Sequence, residues 1–226
     1  MLICFEGADG CGKDTVANVV ADRLGANRLN FPNDQGVTGQ MIRGYLRKQW
    51  QVSKTVHRIE GVEGDMKLAT DEPLLSAMAF QALQVANRME VMPKLIEARD
   101  GSTDLVLARY WQSGWVYGQL DGLPPSFLLQ LHKGMAHPQV NFLLDLDAVT
   151  AMERRQGRDG ALVTERYEGK LTFTKQVVQL YRDLWRSNLT AGMGEHYVLD
   201  ANQPVGAIVE QVLKMLPLHR PIRLTT

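Results

Sequence analysis

Cysteine, net charge and long apolar runs are all scarce in this chain of 226 residues. The only cysteines are Cys4 and Cys11, and two thiols placed so close together make no disulfide framework of the kind small secreted domains rely on. A reducing, cytoplasmic compartment is therefore expected. The 25 Lys and Arg residues balance 25 Asp and Glu, which leaves no overall basic field such as nucleic-acid binders use. Any positive charge that matters is local, and no nucleic-acid partner is expected. No stretch approaches the roughly 18 uninterrupted apolar residues of a membrane span. The first residues form a strand without the basic and long apolar regions of a signal peptide, so a protein that is neither exported nor membrane-bound is expected. Internal repeats, low-complexity tracts and evident linkers are also missing. With a prior of roughly 100 to 200 residues per domain, residues 1–226 are expected to form one domain.

What is present is an alternation of short apolar runs with longer amphipathic segments, the pattern of βαβ units and a parallel sheet. The runs that qualify as strands are Leu2 to Phe5, Arg28 to Phe31 before Pro32, Asp104 to Ala108, Val140 to Asp145 and His196 to Leu199. The third and fourth are apolar enough to be buried on both faces. Helices are predicted over Val16 to Leu24, Thr38 to Trp50, Glu72 to Asp100, Pro125 to Lys133, Ala148 to Gln156, Leu171 to Ala191 and Pro204 to Met215. Pro93 marks a kink or a break in the long one. Gln51 to Thr70 is polar and aperiodic and reads as an extended connection or small insertion.

Directly after the first strand stands GADGCGKDT, Gly7 to Thr15. Glycines let backbone N–H groups wrap closely around a triphosphate, and a lysine answers the dense charge of the β- and γ-phosphates. The helix that follows points its positive end at the same anion. Strand, loop, lysine and helix in this order define a phosphate-binding loop, with Gly7, Gly10, Cys11, Gly12, Lys13, Asp14 and Thr15 as its ATP-binding residues. One letter departs from the motif. Asp14 stands where a Ser or Thr hydroxyl normally holds magnesium.

In a parallel sheet, ligands sit at the carboxyl ends of the strands. The other ends carry FPND (Phe31 to Asp34), ARYWQSG (Ala108 to Gly114) and DLD (Asp145 to Asp147). An isolated arginine after a strand is ordinarily a surface charge, but these segments occur together at the ends where a ligand would lie.

Taken in order, the motifs resemble those of the thymidylate kinases, P-loop nucleoside monophosphate kinases. Leu2 to Thr15 is similar to the opening strand and loop, Phe31 to Leu46 to the segment after strand two, and VANRMEVMPKLIEA (Val85 to Ala98) to the helix carrying A-N-R-W-E. ARYWQSGWVYG resembles D-R-Y-x-x-S-G-x-x-Y/F, FLLDLD with ERRQGRDG resembles strand four and a lid, and ERYE (Glu165 to Glu168) and VLDANQP (Val198 to Pro204) resemble the elements that close the fold. The resemblance implies a three-layer α/β/α P-loop NTPase fold, with a five-stranded parallel sheet, helices on both faces and a mobile lid around 154–164. It implies ATP and Mg2+ as cofactors, a deoxynucleoside monophosphate as acceptor, and a homodimer built on the helices of Thr38 to Trp50 and Leu74 to Ala98.

It also implies roles. Phosphoryl transfer asks chiefly for positioning and charge neutralisation, so the cations matter most. Lys13 holds the donor's β- and γ-phosphates, Arg109 the acceptor phosphate, and Arg154, Arg155 and Arg158 lie in a glycine-broken lid that closes on the transferring group. Gly10 stands where other members carry a loop arginine, and members without it need lid arginines. Arg88 reads the pyrimidine base, because a base carbonyl offers only acceptors. Phe31, Tyr110, Ser113, Gly114 and Tyr117 fall in the motifs that frame the acceptor pocket. Asp9, Tyr167 and Glu168 surround the sugar 3′-hydroxyl and the metal.

Four positions break the family pattern, and all face the expected site. Asp14 replaces the metal-binding hydroxyl, Ala108 the Asp of D-R-Y, Asp34 the Arg of F-P-E-R, and Gln84 a phenylalanine that stacks on the base. Asp14 is expected to supply, with Asp9, the carboxylate chemistry at the metal that Ala108 no longer offers. Arg43 is expected to serve the acceptor phosphate in place of the arginine missing at Asp34, and Phe80 to take over stacking from Gln84. Gln84 offers a donor and an acceptor, which favours dUMP or a 5-substituted dUMP beside dTMP. Two other readings stay open: a catalytically silent nucleotide-binding protein, and a kinase of a nucleoside or nucleic acid end. Lid arginines speak against the first. The lost carboxylate at Ala108 and the phosphate-seeking Arg109 speak against the second.

Overall fold

The computed structural model describes residues 1–47, 74–159 and 171–216. Its centre is a sheet of five parallel strands: β1 (Leu2–Glu6), β2 (Asn27–Asn30), β3 (Leu105–Ala108), β4 (Val140–Asp145) and β5 (Glu195–Asp200), in the order β2-β3-β1-β4-β5. The alternation of side chains along β1 separates two cores. Ile3 and Phe5 join the cluster covered by α1 (Lys13–Leu24) and α9 (Val205–Met215), whereas Leu2 and Cys4 join the cluster on the opposite face. That second face is covered by α4 (Met92–Arg99), α5 (Trp111–Leu120), α6 (Pro125–His132) and α8 (Leu171–Arg186), giving the three-layer α/β/α arrangement. The remaining helices are α2 (Val37–Leu46), α3 (Leu74–Met89) and α7 (Ala148–Asp159).

Several expected boundaries shift for local reasons. The long helix predicted over Glu72 to Asp100 is two, because the chain turns at Glu90 and Val91 and Pro93 lies in the first turn of α4, where its missing N–H costs nothing. The last predicted helical turns before Ala191 are replaced by a 3-10 turn at Asn188–Thr190, which Ser187 caps by accepting from the Leu189 N–H. The segment of Arg154, Arg155 and Arg158 is not broken by Gly157, since α7 runs on to Asp159. The α5 helix was not expected. It holds two glycines and is buried nearly all round, so it lacks the amphipathic signal by which helices are read. The insertion at 51–70 and the lid beyond 159 lie outside the described residues, as do Trp50, Tyr167 and Glu168.

The sheet register positions the site. Phe5 of β1 and Asn30 of β2 both pair with Ala108, and Arg109 continues the ladder by donating its N–H to the Phe5 carbonyl at 2.9 Å. The residues that follow β1 and β3 therefore emerge side by side.

Candidate active site

The loop after β1 needs its glycines for different reasons. A Cβ at Gly10 would lie 2.1 Å from the Ala151 carbonyl oxygen, which is where α7 packs onto the loop. A Cβ at Gly12 would meet nothing within 4 Å among the described residues, but the φ of +87° is one that L side chains rarely adopt. Gly12 caps α1 without a side-chain hydrogen bond, so apart from the Lys13 N–H, which faces the Cys11 thiol, the start of α1 presents its N–H groups to an anion. Cys11 is buried, and burial raises its thiol pKa. Thr15 is exposed on α1. Lys13 is only 3% exposed, with its Nζ 3.4 Å from Asp9 Oδ1 and 3.8 Å from Asp14 Oδ2.

Arg109 meets this loop from β3. It has a φ of +66°, the sole positive value at a non-glycine among the described residues, a conformation that costs roughly 1–3 kcal/mol and persists where its surroundings enforce it. Its guanidinium pairs with Asp9, donates to Ser113 Oγ at 3.2 Å and lies 5.5 Å over the Tyr117 ring. The Tyr117 hydroxyl donates to the other Asp9 oxygen at 3.3 Å. Burial alone would raise the Asp9 pKa, but Arg109, Lys13 and Arg155 outweigh it and hold the carboxyl well below its usual range. Asp9 is thus a fixed anion that gathers cations from the start of α1, the end of β3 and α7.

Beneath this cluster lies a residue the sequence reading passed over. Glu6 ends β1 with no exposure at all, and its two oxygens accept four hydrogen bonds: from the N–H groups of Tyr110 and Ser113 at 2.6 and 3.2 Å, from Ser113 Oγ at 2.7 Å and from the Tyr181 hydroxyl at 2.9 Å. It ties β1 to the start of α5 and to α8, and Ser113 passes the constraint to Arg109. The signal was a lone acid in an apolar strand immediately before the loop glycine.

On the acceptor side, α3 delivers Arg88, 1% exposed, whose Cζ lies 5.9 Å over the ring of buried Phe31. Its Nη2 donates to the Tyr110 carbonyl at 2.8 Å. Tyr110 is fully buried against Phe31, their ring centroids 5.5 Å apart, and burial raises its phenol pKa. Asn87, also unforeseen, accepts from the Asn33 N–H at 2.6 Å and donates to the Asn33 carbonyl and Thr38 Oγ1 at 3.0 Å each, fixing the strand-two loop. A cis peptide joins Phe31 to Pro32 in that loop.

Some expected residues are engaged elsewhere. Phe80 is buried and stacked on Tyr45 at 4.3 Å, in the small core between α2 and α3; Gln84 is half-buried on the same helix. Arg43 is held by Asp34 in a bidentate pair, Nε to Oδ1 at 2.7 Å and Nη2 to Oδ2 at 3.0 Å. Asp14 faces Arg28 of β2 at 3.2 Å as well as Lys13. Arg154 donates to the Ala201 carbonyl after β5 at 2.8 Å, so of the two described lid arginines it is Arg155 whose charge reaches Asp9. Gly114 does not act as wall alone: a Cβ there would lie 2.7 Å from His132 Nε2.

A glycine loop, a buried lysine and an arginine converging at adjacent strand ends define a P-loop phosphotransferase of the nucleoside monophosphate kinase kind. A family model described as Thymidylate kinase matches residues 5–60 and 66–212, and the chain belongs to the thymidylate kinase family. It is 29% identical over 218 residues to the "Probable thymidylate kinase" of Methanococcus maripaludis, covering 95% of this chain and 94% of that one. It is 26% identical over 225 residues to the thymidylate kinase of Dictyostelium discoideum, covering 94% and 82%. The fold matches that of thymidylate kinase from Candida albicans with a TM-score of 0.70, at 20% identity and over 96% of this chain and 91% of that one. No described helix is long and apolar enough to cross a membrane.

Proposed function

We propose that this chain transfers the γ-phosphoryl group of ATP to a deoxypyrimidine monophosphate, dTMP or a related dUMP or 5-substituted dUMP, giving the diphosphate. The observation that carries the reading is the meeting of Lys13 and Arg109 on Asp9, at the carboxyl ends of adjacent strands. Lys13 and the free N–H groups of α1 hold the donor's β- and γ-phosphates, and Arg109 holds the acceptor phosphate in line with them. An oxygen of the acceptor phosphate attacks Pγ while the bond from Pγ to the β–γ bridging oxygen breaks, releasing ADP. That nucleophile is already anionic at neutral pH, with a second phosphate pKa near 6, so no side chain is needed to take a proton from it. An Asp9 locked in ion pairs is compatible with such chemistry. Arg155, and Arg158 from the segment beyond it, neutralise charge on the transferring group. Tyr117 bounds the sugar beside Asp9, and the resemblance assigns Tyr167 and Glu168, outside the described residues, to the same sugar.

Magnesium fits the donor set. Asp9 and Asp14 flank Lys13 Nζ at 3.4 and 3.8 Å, and this ion is usually held by one or two carboxylates, with phosphates and waters completing its octahedron. Held by Asp9 and Asp14, it would supply positive charge against the phosphates of the donor. Ala108 lies on the sheet face that α1 covers, so a carboxylate on the first turn of α1 approaches the region that a strand-three carboxylate would serve. Val37, Met41 and Met89, exposed on α2 and α3, support a homodimer through these helices, testable by sedimentation. The buried free thiols of Cys4 and Cys11 suit a reducing cytoplasm.

A coupled assay with ATP, magnesium and a panel of deoxynucleoside monophosphates tests the reading. Pyrimidine monophosphates are expected to turn over with dTMP, dUMP and 5-hydroxymethyl-dUMP within about a hundredfold of one another, the scale on which pocket contacts discriminate small substituents. Absence of any pyrimidine diphosphate product overturns the function. A preference for dTMP by several orders of magnitude overturns only the wider acceptor range.

A further inference from the structure

Arg88 lies in the interior and forms no ion pair among the described residues. What holds it is neutral: the Tyr110 carbonyl on Nη2, and His132 Nε2 at 3.4 Å from Nη1. His132 is itself fixed. Its Nδ1 is 2.7 Å from the Leu128 carbonyl oxygen, an acceptor only, so Nδ1 carries the proton and Nε2 presents its lone pair. Arginine has donors only, which demands the same tautomer from the other side. The ring reaches Arg88 because α5 lacks two β-carbons. At Gly114 a Cβ would lie 2.7 Å from His132 Nε2, and at Gly118 one would lie 2.6 Å from Leu128 Cδ2. Leu128 and His132, one turn apart on α6, thus sit in a groove made by Gly114 and Gly118. Two polar atoms nearby are buried without a partner among the described residues, Arg88 Nε and Gln81 Oε1, and the latter lies 3.2 Å from the same absent β-carbon of Gly114.

We propose that His132 is a positioning residue of the acceptor site: its neutral Nε2 orients the Arg88 guanidinium without cancelling its charge, leaving the Nε–H and a remaining Nη–H for a carbonyl edge of the acceptor base. This rests on the assignment of Arg88 to the acceptor base. A carboxylate in the place of His132 would form a bidentate pair and compete with the base. An imidazolium would repel the guanidinium. Burial, followed by the charge of Arg88, holds the His132 pKa down to about 3, and burial brings Arg88 down only to about 10, so the ring stays neutral and the guanidinium charged across the physiological range. The substrate class that matches is a pyrimidine with a carbonyl at the edge read by Arg88, as in thymine and uracil. Cytosine presents an amino donor there and meets donors facing donors.

The test compares kcat and KM for dTMP and dCMP in the wild type, His132→Leu, His132→Gln and Arg88→Lys. His132→Leu is expected to raise the KM for dTMP about tenfold, the scale of one hydrogen bond to a charged group, and to narrow the dTMP-to-dCMP ratio of kcat/KM by a similar factor, with the KM for ATP unchanged. His132→Gln, which restores a neutral acceptor, is expected to recover both to within about threefold. A folded His132→Leu with unaltered KM and unaltered ratio overturns the proposal. If Arg88→Lys is equally silent, the assignment of Arg88 to the base fails; if Arg88→Lys is damaged while His132→Leu is silent, only the positioning role fails. A second measurement needs no variant: 15N spectra of the wild-type imidazole at pH 6 are expected to show Nδ1 protonated and Nε2 bare, and an Nε2–H tautomer or an imidazolium overturns the proposal.

Discussion

Asp9 and Arg109, 100 residues apart in sequence, form a salt bridge that links the carboxyl ends of β1 and β3. The pair makes the loop and the strand-three arginine one unit and sets how its stability answers to acid. Because the Asp9 pKa is lowered in the folded protein, its contribution is fully present above the unfolded carboxylate value of about 3.9 and is lost as pH falls from there toward the folded value. Asp9→Asn is therefore expected to be less thermostable than the wild type at pH 7, with the difference shrinking below about pH 4. Melting curves between pH 3 and 7 check this; a gap that persists unchanged at pH 3 contradicts it.

Asp34 and Arg43 pose a different case, because both are partly exposed, at 59% and 34%, and such a pair contributes about 0–1 kcal/mol to stability. Its weight is electrostatic and local. Asp34→Asn weakens one of the contacts of Arg43 and removes a negative charge from the loop after strand two, so the KM for the acceptor monophosphate is expected to fall about threefold to tenfold, with melting temperature nearly unchanged. Steady-state kinetics at low and at 0.5 M salt decide it, the higher salt erasing the gain because exposed charges are screened beyond about 5 Å there. An acceptor KM that does not move limits Arg43 to anchoring α2.

Strands β1, β3 and β4 were legible because runs such as LVLA and VNFLLD are buried on both faces, and a parallel sheet writes that burial into composition. The loop glycines, Lys13 and Arg109 were legible because their place follows from their position after a strand. What stayed hidden depends on partners distant in sequence. The Tyr181 hydroxyl reaches Glu6 across 175 residues, His132 reaches Arg88 across 44, and no local pattern encodes either. Helix α5 was hidden for a related reason. With glycines at 114 and 118, its order derives from packing against α6 and from Glu6 holding its first turn, rather than from propensity.

Glu6 gives the sharpest stability prediction. Its oxygens receive only donors, so Glu6→Gln turns an amide NH2 toward hydroxyl or N–H groups and leaves buried donors unpaired. A loss of about 1–3 kcal/mol is expected, read from the shift in urea midpoint at constant m-value. Activity is expected to fall as well, because Ser113, which Arg109 uses as an anchor, loses its own. Glu6→Asp keeps the charge but shortens the reach and is expected to be destabilised too. A Gln variant as stable as the wild type means that the four hydrogen bonds reorganise without cost.

Asp14 separates two roles that the geometry places on one carboxylate. One oxygen faces Arg28 at 3.2 Å and the other faces Lys13 at 3.8 Å, so removing the side chain affects both a surface pair and the carboxylates beside the phosphate loop. The surface pair, with Asp14 52% exposed, contributes about 0–1 kcal/mol at most, and its loss is matched by Arg28→Ala. If Asp14 serves the metal, Asp14→Ala raises the magnesium concentration for half-maximal turnover by about tenfold or more at fixed ATP, since losing even a group that only supports a metal ligand costs about 10–100-fold. Arg28→Ala does not raise it, and Asp14→Ser, which restores the hydroxyl the motif usually carries, recovers part of it. Equal magnesium curves for the wild type and Asp14→Ala, with turnover intact, would falsify the metal role and leave Asp14 as the partner of Arg28 alone.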